Sequence, residues 1–203
     1  VYGEFAAIVD GLADGCRDLD VPVVGGNVSL YNDSTAGPIP PTPTLAMLGT
    51  MPDYQAPTLE SKGEGELVLL GDFEKRLGGS ELLARLGGAD RFPDLPEEPA
   101  DRVEAIRTVA NLEGTRAVHD VSDGGLLVTL AEMVHAEGGV QATVPTPASL
   151  FSEAPGRVVV ETTDRAALEA AVDDAIAVRT LGTTSKSGDL AVTVESAGET
   201  VEY

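Results

Sequence analysis

Apolar and polar positions along this chain follow two periods. Near the start Phe5, Ile8, Val9, Leu12 and Cys16 recur at helical spacing, with Glu4, Asp10, Asp14 and Asp18 largely off that stripe. That pattern predicts an amphipathic helix of about four turns. Short continuous apolar runs then predict buried strands at Val21-Pro22-Val23-Val24, at Leu45-Ala46-Met47-Leu48-Gly49 and at Leu67-Val68-Leu69-Leu70. Between the first two, Gly37-Pro38-Ile39-Pro40-Pro41-Thr42-Pro43 is extended, because proline lacks the amide hydrogen a helix needs and pushes its predecessor out of helical geometry.

Further on, Ser80 is placed to cap a short helix after the pair Gly78-Gly79, and a Pro-rich loop spans 87–99. Val103, Ile106, Val109, Ala110 and Leu112 mark the next helix, and Ala117-Val118 a brief strand. The polar loop His119-Asp120-Val121-Ser122-Asp123-Gly124-Gly125 opens a helix that buries Leu126, Leu127, Leu130, Met133 and Val134, with Ser122 and Asp123 where caps are expected. Strands at 140–144 and 157–162, a helix at 166–177 and strands at 178–183 and 190–195 follow, the last two joined by the turn Ser187-Gly188-Asp189. Residues 199–203 read as an edge strand or a disordered tail.

Segregated strands and helices of this kind predict an α/β chain of the α+β type, a sandwich with helices on one face of a mostly antiparallel or mixed sheet. The turn-rich, polar stretch from Pro52 to Glu64 is the best candidate boundary, giving domains 1–57 and 58–203. The sequence lacks an initiator Met and opens inside a helical pattern, as expected of a piece of something longer.

Composition narrows the function classes. With 42% hydrophobic residues the chain can fill a core, but at 4% aromatics and no Trp that core is aliphatic and offers no stacking platform for bases. Its 34 acids against 13 bases give a net charge of −21, which repels a polyanion, so nucleic acid is not an expected partner. A single cysteine permits no intrachain disulfide and suits a reducing cytoplasm. On the helical stripe, Cys16 reads as a small core residue. Two histidines with that cysteine are too few for a zinc site, and no apolar run reaches the length of a membrane span.

Two loops carry candidate chemistry. In Gly25-Gly26-Asn27-Val28-Ser29-Leu30-Tyr31-Asn32 the glycines let the backbone approach a ligand, Asn27 offers an amide and Ser29 a hydroxyl. A plain turn after a strand would use the same residues, and the spacing fits neither a dinucleotide fingerprint nor a P-loop. In the second loop His119 suits either a phosphate or a structural hydrogen bond. Asp120 and Asp123 suggest a hard-cation site, although helix capping accounts for Asp123 without one.

Taken together, VPVVGGNVSLYND (21–33), PTPTLAMLG (41–49), HDVSDGGLLVTLAEM (119–133) and LFSEAPGRVVV (150–160) resemble, in this order, the second half of the synthetase subunit of formylglycinamide ribonucleotide amidotransferases. The second loop is shared more widely with aminoimidazole ribonucleotide synthetase relatives. The resemblance implies the end of a second N-terminal-type, ATP-binding domain followed by a complete C-terminal-type α/β sandwich. It also implies a ligase of purine biosynthesis, in which ATP activates the substrate's amide oxygen through a phosphoryl imidate and ammonia displaces the phosphate. The ammonia comes from glutamine through a glutaminase subunit, helped by a small third subunit, in the cytoplasm. Position by position, Gly26 matches a nucleotide-binding glycine, Asn27 a magnesium (Mg2+) ligand and Ser29 a substrate contact. The first-half counterpart of Leu150-Phe151-Ser152-Glu153 carries a substrate-contacting Glu-Ser-Gln, whereas here Ala154-Pro155 follows Glu153. The family's histidine for proton transfer, its main ATP-binding lysine and its acidic magnesium ligands fall in segments this sequence does not contain. A related ATP-dependent small-molecule kinase of the same superfamily, or a non-catalytic scaffold half that docks partner subunits, are the alternative readings.

Acidity spread along the chain, with lysine only at 62, 75 and 186, makes a self-repelling surface that salt screens, as in a salt-rich cytoplasm. Unfolding followed by circular dichroism should show higher stability in molar salt than at low salt, and equal stability in both would contradict a salt-adapted surface.

Overall fold

The structure, a computed structural model, describes residues 2–30, 33–50, 56–173, 175–196 and, in backbone only, 199–202. The chain divides after residue 54 into two units. Tyr31, Asn32, the first part of the 52–64 boundary stretch and Tyr203 lie outside the described residues.

In the first unit the predicted helix is present as α1, Tyr2–Asp18. Amides of Leu19 and Val21 bond back to the carbonyls of Gly15 and Cys16, and Asp20 takes a positive φ of 51° to end the helix. A two-residue hairpin follows, β1 Asp33–Ser34 with β2 Gly37–Pro38, tightened by the Ser34 hydroxyl donating to the Gly37 carbonyl. The strands expected at 21–24 and 45–49 are not strands here. Both runs are irregular backbone, with Val24 96% and Leu48 97% exposed. A strand is stable only when its amides and carbonyls pair with a neighbouring strand and its apolar face is covered, and beyond the Val21 amide, which closes the end of α1, no described residue pairs with these two runs. For the same reason α1 has no buried residue, although its stripe is amphipathic.

The second unit is built on a seven-stranded mixed sheet. In chain order its elements are β3 Glu66–Leu70, α2 Glu81–Leu86, α3 Pro99–Ala110, β4 Thr115–Asp120, α4 Gly125–Glu132, β5 Gly139–Val144, α5 Pro147–Phe151, β6 Val158–Thr162, α6 Arg165–Val172, β7 Val178–Ser185, β8 Leu190–Val194 and β9 Glu199–Glu202. The strand order is β4-β6-β3-β7-β5-β8-β9, antiparallel throughout except for the parallel pair β5–β8. The tail is therefore an edge strand.

Helices cover both faces of this sheet, not one. Leu67 and Leu69 of β3 join Leu126, Leu130 and Met133 from α4 and its end, together with Leu150 of α5. Val68 and Leu70 point the other way, to Ala105 and Val109 of α3 and to Leu168 and Val172 of α6. All four β3 side chains are fully buried, as an uninterrupted apolar run with no polar alternation requires. Pro99 begins α3, where its missing amide hydrogen costs nothing, and Ser80 caps α2 as expected by accepting from the Leu83 amide. The helix expected to reach 177 stops at Val172, because Asp173 turns out of helical geometry at φ 46°.

One polar residue lies inside this apolar frame. Glu161, in the middle of β6, is fully buried. Its carboxylate accepts from the Lys62 and Glu64 amides and from the Thr184 hydroxyl, the last two at 2.8 and 2.7 Å. The approach to β3 is thus wrapped around a buried anion whose lone pairs are taken up by backbone amides and a hydroxyl, the condition under which a buried charge is tolerated.

Candidate functional site

The first candidate loop leaves α1 and runs through Gly25, Gly26, Asn27 and Ser29 as exposed, irregular backbone. Neither Gly25 nor Gly26 has a positive φ, and a Cβ built on either meets nothing within 4 Å. Their glycine identity is therefore not demanded by local conformation or by packing among the described residues. The Asn27 amide and the Ser29 hydroxyl have no hydrogen-bond partner among the described residues, which leaves an uncommitted hard oxygen and an uncommitted donor. The three residues predicted as site residues sit on one short stretch, and no described side chain closes around them.

The second candidate loop is tightly built. His119 and Asp120 belong to β4 and not to a loop, since both pair across to β6. His119 is buried, and its Nδ1 lies 2.9 Å from the Asp120 carbonyl, which can only accept, so Nδ1 carries the hydrogen. Its Nε2 is 3.4 Å from a Glu132 carboxylate oxygen. The same Asp120 carbonyl accepts from the Thr129 hydroxyl at 2.9 Å. The Thr129 hydroxyl thus ties the end of β4 to α4, and the Nδ1 bond of His119 stays within β4. Asp120 points its carboxylate to solvent, and no group of three or more His, Cys, Asp or Glu among the described residues is arranged to hold a metal ion.

Ser122 and Asp123 do not cap α4. The N-cap is Gly124, left-handed at φ 84°, and it makes no side-chain cap. Its amide instead donates to Glu153 Oε1 at 2.8 Å, and the Glu81 amide at the start of α2 donates to the same oxygen at 2.8 Å. Sequence reasoning set Glu153 only against the family's Glu-Ser-Gln counterpart and left it out of the site residues, with no local signal for its bonds to the two amides. Arg157, also missed, is 3% exposed and bonds the carbonyls on either side of Glu153, with Nη2 to Ser152 at 2.6 Å and Nε to Ala154 at 3.1 Å. Burial lowers its pKa, and the charge of Glu74 opposes that shift. Glu74 is itself held down to about 2 by its hydrogen bond to Arg76. Beside Arg157 opens a cavity of about 530 Å³ whose walls include Asp72, Glu74, Asp94, Glu98 and Asp101, an acidic lining unsuited to a phosphate.

Compared with known proteins, residues 2–51 match the N-terminal domain, and residues 63–195 the C-terminal domain, of AIR synthase related proteins. The chain belongs to the AIR synthase related family. Within that family it is similar to phosphoribosylformylglycinamidine synthase subunit PurL of Haloarcula marismortui, 55% identical over 100% of this chain and 30% of the relative. It is also similar to the subunit of the same name from Salinibacter ruber, 41% identical over 95% of this chain and 28% of that one. The chain therefore spans less than a third of the length of the curated relatives it matches. Among solved structures, PurLQS from Thermotoga maritima shares the fold, with a TM-score of 0.54 at 15% identity over 72% of this chain and 26% of the other. T. maritima PurL complexed with ATP gives a TM-score of 0.51 at 16% identity over 73% and 26%.

Glycine chemistry separates the two loops. A Cβ at Gly125, where φ is 70°, would sit 2.7 Å from the Leu150 carbonyl oxygen, whereas one at Gly26 would sit in open space. Gly125→Ala should lower the stability of this chain by about 2 kcal/mol or more, and Gly26→Ala should change it by less than about 0.5 kcal/mol, by urea denaturation.

Proposed function

We propose that this chain is the C-terminal portion of an ATP-dependent carbon–nitrogen ligase of purine biosynthesis. The full-length enzyme converts formylglycinamide ribonucleotide, ammonia and ATP to formylglycinamidine ribonucleotide, ADP and phosphate. The observation that supports this most is the 55% identity to the Haloarcula marismortui subunit over the whole chain. Both domain patterns, found in the family's order, add to it. On this reading residues 1–57 end an N-terminal-type, nucleotide-binding domain and 58–203 form the C-terminal-type domain. A glutaminase subunit supplies the ammonia, a small third subunit completes the assembly, and the complex works in the cytoplasm.

The residues at 26–29 fit a nucleotide and its magnesium ion as one wall of a site. ATP with magnesium supplies the phosphoryl group that turns the amide oxygen of the substrate into a leaving group. Gly26, without a Cβ, leaves the backbone open to a phosphate, as the empty space around it allows. Asn27 offers its free amide oxygen as one hard donor, and a magnesium ion needs further oxygens that this loop does not hold. Ser29 directs its hydroxyl to a substrate oxygen. The family's histidine for proton transfer and its main ATP-binding lysine fall in segments this sequence does not contain, so the 203-residue chain alone should form no amidine.

In the full-length enzyme Asn27→Ala should lower magnesium-dependent turnover by at least about tenfold with an unchanged melting temperature. Unchanged kinetics would remove Asn27 from the site, and amidine formation by the 203-residue chain alone would overturn the division of labour.

A further inference from the structure

The string Leu150-Phe151-Ser152-Glu153-Ala154-Pro155-Gly156-Arg157 has no part in the function proposed above, yet two of its side chains organise one end of the second unit. We infer that Glu153 is a positioning residue: its carboxylate is the shared acceptor that holds the start of α2 and the start of α4 together, and Arg157 aims it. This inference is independent of the ligase reading, because every group in it belongs to the 203-residue chain.

Three observations converge on it. First, one oxygen, Oε1, accepts from the Glu81 amide and from the Gly124 amide, each at 2.8 Å. Glu81 is the first residue of α2 and Gly124 is the N-cap of α4, so the shared oxygen sits at two helix starts, where a negative charge is favourable. Neither start is capped at that amide by another group: Ser80 serves the Leu83 amide instead, and α4 has no side-chain cap at all. Second, the loop that carries Glu153 is fixed from behind. The Arg157 guanidinium donates to the carbonyls of Ser152 and Ala154, the two residues that flank Glu153, so the Ser152–Glu153 and Ala154–Pro155 peptides are both held in place. A Cβ on Gly71 would lie 2.7 Å from Arg157 Cγ, so the stem of that arginine is itself wedged against the end of β3. Third, Gly125 packs directly on the same loop, with room for no side chain between it and the backbone of residues 150–152. The turn from Ser122 to Gly125 is therefore pinned on one side by a side-chain acceptor and on the other by backbone packing. Ser122 and Asp123 remain exposed, and their side chains have no hydrogen-bond partner among the described residues.

Sequence reasoning placed the pairs Gly78-Gly79 and Gly124-Gly125 in two unrelated loops. The structure joins the starts of the helices that follow these pairs through Glu153, whose loop Arg157 supports. The chemistry demands an acceptor oxygen at this point and gains from its charge. Oε2 has no partner among the described residues, so a glutamine can keep its carbonyl oxygen on both amides and leave its NH2 at the free position.

The test is amide hydrogen exchange of the 203-residue chain by NMR, with Glu153→Ala and Glu153→Gln. E153A should speed exchange of the Glu81 and Gly124 amides together by more than about tenfold, while the Val68 and Leu69 amides in β3 keep their rates. E153Q should keep both amides within about threefold of the unsubstituted chain. Acceleration of only one of the two amides, or of neither, in a folded E153A would overturn the inference. Should E153A also speed the β3 amides, E153Q decides: slow exchange at both amides supports the shared acceptor, and fast exchange at both contradicts it.

Discussion

A strand buried on both faces has to find two kinds of partner at once, hydrogen-bonding neighbours along its edges and apolar cover above and below. Leu67 to Leu70 finds all of them: β6 on one edge, β7 on the other, α4 and α5 over one face and α3 and α6 over the other. The remaining geometry of the second unit follows from that placement. β3 leads out through Gly71 onto the stem of Arg157, and it is approached through the amides that bond buried Glu161. Val21 to Val24 and Leu45 to Leu48 carry the same sequence signal and meet none of these conditions among the described residues. Similar runs of side chains thus end as a core strand in one place and as exposed backbone in another, and the deciding variable is whether partners are within reach.

That contrast explains what could be read from the amino-acid order and what could not. Local chemistry was legible: the amphipathic stripe of α1, the Ser80 cap and the turn at 187–189 between β7 and β8 depend on residues near one another in sequence. Non-local chemistry was not. The Gly124 amide at the start of α4 is taken by Glu153, 29 residues further along the chain, while Ser122 and Asp123, expected as caps, make no cap bond. Cover on both faces of the sheet was also hidden, because each helix shows an apolar stripe but not which face of the sheet it will meet.

The candidate site follows the same logic. Gly26, Asn27 and Ser29 came from a motif string, and the structure keeps them together on one stretch with free polar groups. Among the described residues no side chain forms an opposing wall, in keeping with a chain that spans 30% of a relative to which it is 55% identical. The second loop, which also looked like ligand chemistry, turns out to be held by His119, Thr129 and Glu153 in structural roles. A polar loop rich in Gly, Ser and Asp is thus ambiguous in sequence. Its meaning depends on whether its polar groups are already occupied by the protein, as at 119–125, or left free, as at 26–29.

The central claim is that the second unit packs around its own core, while the apolar runs 21–24 and 45–48 have no strand partner among the described residues. Limited proteolysis of the 203-residue chain with thermolysin, read by mass spectrometry, tests this directly. The account predicts early cleavage within 21–30 and 39–48, with a resistant product that retains β3 to β8. Resistance of 21–30 and 39–48 equal to that of β3 in the same chain would contradict it.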